Sequence, residues 1–153
     1  MLFFYLGRIE ENGLVLWALF LSYNFFAFFP QSIIGYFSDS HQNIPLCAIG
    51  LSLTAVTLAV FPYIPLYLSL ILICLGNAFV HVNGAEVTLR SSDGKLFSSA
   101  LFVGGGSFGV ISGRLLAGTS VSSIYIILLA VSAIPLSLFA QTYLKKAGFL
   151  LQA

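Results

Sequence analysis

The feature that most constrains this chain is a run from Leu14 to Phe37 that holds no charged residue. A helix needs about 20 mostly apolar residues to cross a bilayer. Four further runs of that kind follow: Ile44 to Phe61, Ile64 to Leu89, Leu96 to Gly118 and Ser122 to Leu144. They are too long for strands and lack period-two alternation. The breaks carry loop chemistry. Ser38 to Asn43 is polar, Pro62-Tyr63-Ile64-Pro65 is a Pro-bounded turn, Arg90 to Lys95 is charged, and Thr119 to Ser123 is small and polar. Pro30 and Pro135 fall inside runs, which membrane helices tolerate when neighbours satisfy the freed carbonyls.

Composition agrees. Charged residues are 7% of the 153, against about 25% in a soluble domain. Six Lys/Arg and five Asp/Glu cannot coat a soluble fold of this size. The chain reads as all-α: a polytopic bundle of five transmembrane helices over 14–144, multi-pass in a cell (plasma or inner) membrane, with the bilayer as its first partner. A net charge of +1 offers no basic surface for nucleic acid. Cys47 and Cys74 lie in apolar runs without metal-spaced companions and read as small packing residues. No nucleophile–base pair, metal cluster or phosphate loop is present, so neither enzyme chemistry nor a cofactor is expected.

The ends read differently. Met1 to Gly13 is an outer segment with a short apolar start, no basic n-region and no small-residue cleavage site, unlike a signal peptide. It reads as the remnant of a missing first helix. Residues 145–153 read as a tail. With five spans, Arg90, Lys95, Lys145 and Lys146 fall on one side and Arg8 on the other. The basic side is expected in the cytoplasm.

Polar residues inside the runs point to function, because such groups are costly in lipid and face protein or a water-filled cavity. On the first run, Asn24, Gln31 and Gly35 fall within about 40° of one another. On the third, Asn77, His81 and Gly84 share one face, and Asn83, Glu86 and Arg90 the other. That helix is expected innermost. Asn24, Gln31, Asn77 and His81 are candidates for a substrate path, and an imidazole at that depth can exchange a proton near neutral pH. Glu86 and Arg90, four apart near a helix end, read as a structural pair. The fourth run carries Gly105, Gly109 and Gly113, two overlapping GxxxG steps expected to pack on another helix. Arg114 points away from that stripe. It snorkels to the interface or contacts an anion, and lies at the opposite end from Glu86. The second and fifth runs carry little that is polar and read as peripheral.

Gly35-Tyr36-Phe37-Ser38-Asp39 resembles the GxxxD signature of the major facilitator superfamily. In order follow Gly76-Asn77-Ala78-Phe79-Val80-His81, Asp93-Gly94-Lys95 and the glycine-rich fourth run. Together with Asn24 and Gln31 they resemble the fosmidomycin-resistance-type branch. The resemblance implies the second to sixth helices of an N-terminal half, so part of a 6+6 transporter. It implies proton-coupled movement or efflux of a small organic molecule, with Gly35 and Asp39 in a gating loop. The cavity's other wall would come from the missing second half or another copy. Two departures stand out. Ser40-His41-Gln42-Asn43 replaces the family's basic residues after the signature Asp, and Gly109 precedes Val110 rather than the proline of drug antiporters. The competing reading is a non-transporting accessory subunit that associates through the Gly105/Gly109/Gly113 face.

Overall fold

The structure, a computed structural model, describes residues 12–41, 44–92, 95–117, 119 and 122–146. Most of the outer segment, residues 1–11, and most of the tail, 147–153, lie outside the described residues.

The first span begins at a side-chain cap. The Asn12 Oδ1 accepts the backbone N–H groups of Leu14 at 3.0 Å and Val15 at 3.4 Å, donors that a helix start leaves unpaired. Helix α1 then runs Gly13–Phe28 and α2 Gln31–Ser40. The first apolar run is thus two helices instead of one, because Pro30 has no N–H and its ring crowds the preceding turn. The Gln31 amide repairs part of the break by donating to the Ala27 carbonyl at 2.9 Å.

Pro45 and Pro65 directly precede the next two helices, α3 (Leu46–Val60) and α4 (Leu66–Ser91). The Pro-bounded turn between them is one 3-10 turn, Phe61–Tyr63. Helix α5 covers Leu96–Ala117 and α6 Ser123–Lys146, the latter continuing through Pro135. Among the described residues, five helical spans are long and apolar enough to cross a membrane, with α1 and α2 forming one. Among the described residues no strand occurs. Large apolar side chains cover the outside, with Phe108 73% and Leu136 69% exposed. A soluble monomer does not present such a continuous apolar coat.

Helix α4 is the hub, as its two polar faces predict: it packs against α1, α2, α3 and α5 and touches α6 lightly. Two apolar layers form around it. One joins Leu19 and Ala27 to Leu58, Leu70, Ile73 and Cys74; the other joins Ile34 and Leu46 to Ala78.

The second run corrects its peripheral reading. Helix α3 lies between α4 and α6 and buries Leu46, Ala48, Gly50, Ala55, Thr57 and Leu58. Small residues, not polar ones, allow this. A side-chain carbon added at Gly50 would lie 2.5 Å from the Gly76 carbonyl oxygen. The α3 threonines spend their hydroxyls inside their own helix, Thr54 on the Gly50 carbonyl at 2.9 Å and Thr57 on Leu53 at 2.7 Å. Helix α6 is largely exposed, packing chiefly on α3, in keeping with its peripheral reading.

The glycine stripe of the fourth run is also corrected. A side-chain carbon added at Gly105 or Gly109 would meet nothing within 4 Å among the described residues, while Gly113 is buried. Among the described residues the close backbone-to-backbone glycine crossing is Gly50 against Gly76.

Candidate functional site: a polar groove between the first and third spans

A groove of about 490 Å³ opens between the length of α2 and the C-terminal part of α4. Its polar wall includes Gln31, Gly35 and Asp39 from α2 and His81 and Glu86 from α4. Five residues singled out in the sequence therefore converge on one feature. Helical spacing explains it: Gln31, Gly35 and Ser38 lie on one stripe of α2, and the α4 side chains meet that stripe at a helix crossing.

Glu86 anchors the groove. Its Oε2 accepts the Ser38 hydroxyl at 2.8 Å and the Asn83 amide at 3.4 Å. Its Oε1 lies 3.3 Å from Arg90 Nε, the expected i,i+4 pair. Asn83 in turn accepts the Cys47 backbone N–H at 3.1 Å, so α4 supplies the cap that α3 lacks at its own start. Ser38 and Asn83 are 3% and 5% exposed, so these donors have no water to fall back on. The cluster ties α2, α3 and α4 together at one end. Gln141 adds α6, donating to the Ile44 carbonyl at 3.2 Å. This single end gathers the Asp39, Arg90 and α6 termini, the grouping that alternating spans require.

Glu86→Leu strands the Ser38 and Asn83 donors together and takes one partner from Arg90. Stability should fall by about 2–4 kcal/mol. Glu86→Gln keeps an acceptor oxygen and should cost about 1 kcal/mol. Unfolding in mixed detergent micelles measures both; a Leu variant as stable as the parent would contradict the cluster's role.

His81 occupies the deeper part of the wall. Its ring stands 5.7 Å from Phe102 in an edge-on arrangement and 6.5 Å from Phe28. Gly106 leaves room beside it: a side-chain carbon there would lie 3.5 Å from His81 Cε1. The ring is held by apolar neighbours and is half-buried. Among the described residues neither ring nitrogen has a hydrogen-bond partner. Asn77, one turn further in, is likewise half-buried with no side-chain hydrogen bond found among the described residues.

No protein-family model matches the chain, and comparison with curated proteins and with solved structures returns no match. The chemistry of the groove therefore carries the functional argument by itself.

Other predicted residues lie elsewhere. Asn24 donates to the Phe20 carbonyl of its own helix at 2.8 Å and is not on the groove wall. Arg114 is exposed on α5, outside the groove, and forms no pair with Glu86. The glycine stripe is also separate from it. Sequence reading missed Ser38 and left Asn83 without a role. In the sequence Ser38 reads as part of a polar loop, although it lies seven residues after Gln31 and so continues the same stripe.

Proposed function

We propose that the chain is part of a secondary active transporter of the major facilitator type, moving a small organic molecule coupled to protons across a cell membrane. The observation that carries this reading is His81: an imidazole in a spanning helix, on a groove wall, packed by aromatic rings, with no described partner for either nitrogen. A merely structural histidine between helices spends its nitrogens on neighbouring helices. Asn77 and Gln31 extend the polar path. Glu86, Arg90 and Asp39 brace and edge its open end. The second wall belongs to the remaining half of the transporter or to another copy, as alternating access between two repeats requires. Solute flux that persists unchanged after His81→Ala would contradict the reading.

One observation favours a second reading, an accessory membrane subunit: the Gly105/Gly109 face is open within the chain. If that face holds a partner, Gly109→Leu removes a complex seen for the parent on native electrophoresis. Under the transport reading with a lipid-facing α5, migration is unchanged.

A further inference from the structure

We propose that the groove takes a cation, an organic ammonium with a small apolar body, with Asp39 and Glu86 as its counter-ions; movement of that cation rests on the transport reading above.

The two charged side chains on the wall are both carboxylates; Glu86 is paired with Arg90 beside the groove and, among the described residues, Asp39 is not. Asp39 and Glu86 line the groove, and no Lys or Arg does. Arg90 pairs with Glu86 at Oε1, leaving Oε2 to Ser38 and Asn83, and is not part of the wall. Asp39 is exposed in the last turn of α2, with no ion pair or hydrogen bond found among the described residues, so its charge is unmatched.

Hydrogen-bonding capacity points the same way. A carboxylate has about four acceptor positions and no proton to give. Three donors already use Glu86, which leaves one acceptor position. Ser38 spends its only hydroxyl proton on Glu86, so it can offer a groove ligand only a lone pair. Gln31 uses amide N–H on the Ala27 carbonyl and keeps its side-chain oxygen free. The Ser32 hydroxyl, the second Gln31 N–H and one His81 ring N–H remain as donors, and the acceptor positions of Asp39, Glu86, Ser38 and Gln31 outnumber them. An ammonium group brings the missing donors and the missing positive charge. A carboxylate or phosphate would find fewer donors than acceptors here and would set its charge against that of Asp39. Val82, Ala85 and Leu89 supply an apolar flank for a hydrocarbon body. The volume lies in the range of small-molecule sites, about 300–1,000 Å³.

Benzylammonium and benzoate share one ring and differ in the sign of the head group. With the full chain in nanodiscs of uncharged lipid, calorimetric titration should show saturable binding of benzylammonium and none of benzoate. Asp39 is exposed, so Asp39→Asn leaves the fold intact and should weaken benzylammonium by about fivefold. Glu86→Gln, which keeps an oxygen for Ser38, should weaken it at least as much. Added salt should weaken it too. Benzoate binding as tightly as benzylammonium would overturn the assignment. So would unchanged benzylammonium affinity in both variants. Binding as described without movement across vesicles carrying the intact transporter would remove the transport reading and leave the ligand assignment standing. Flux confined to uncharged or anionic solutes would remove the ligand assignment alone.

Discussion

Replacing Gly76 by leucine should cost this bundle about 3 kcal/mol, the upper range for overpacking a tight contact. The first added carbon would already lie 2.8 Å from the Gly50 carbonyl oxygen and would strike the Thr54 hydroxyl. On the facing helix, a carbon at Gly50 meets the Gly76 carbonyl and the Phe79 Cβ at 2.9 Å. Backbone atoms cannot rotate aside, so α3 and α4 must separate. Their separation would open the contact between Cys47 and Asn83 as well. Alanine makes the test sharper. In an isolated helix, glycine to alanine gains about 1 kcal/mol. Gly76→Ala should nonetheless destabilise, because the clash exceeds that gain. Gly109→Ala meets open space and should be neutral or slightly stabilising. Unfolding of the three variants in mixed micelles decides it. Equal stability for Gly76→Ala and Gly109→Ala would show that α3 and α4 do not cross as described.

That crossing also marks the limit of what the sequence discloses. The five spans were legible because apolar length is a property of a continuous segment. The central place of α4 was legible because Asn77, His81, Asn83 and Glu86 cannot all face lipid. The Gly50–Gly76 contact was not. Each glycine stands without the repeat that drew attention to Gly105, Gly109 and Gly113, and only the pairing of two helices reveals them. Regular spacing proposes a packing face; it cannot say whether a neighbour is present. The kink at Pro30 was visible as a residue but not as a break, since Pro135 leaves α6 continuous. For the groove, the polar stripe on α2 and the polar faces of α4 were legible separately. Their meeting was not. The bond from Ser38 to Glu86 joins residues 48 apart in the chain, beyond any local pattern.

The transport account depends on His81 more than on any other side chain. His81→Phe should preserve the ring packing against Phe28 and Phe102 while removing both nitrogens. Stability should therefore change little. Transport should fall by about tenfold or more, since a lost hydrogen bond to a charged or polarised group is worth about 1.5–3 kcal/mol. If His81 is the group that exchanges the proton, any residual flux should lose its response to an imposed pH gradient. A purely structural histidine predicts the opposite ordering: damage to stability first, with flux per folded molecule preserved. The decisive measurement is solute flux per folded protein, with and without a pH gradient, in membrane vesicles from cells expressing the protein or its His81→Phe form. The account predicts gradient-driven flux in the parent and a tenfold or larger loss in the variant at unchanged stability. Equal flux with the same pH response in both would contradict it.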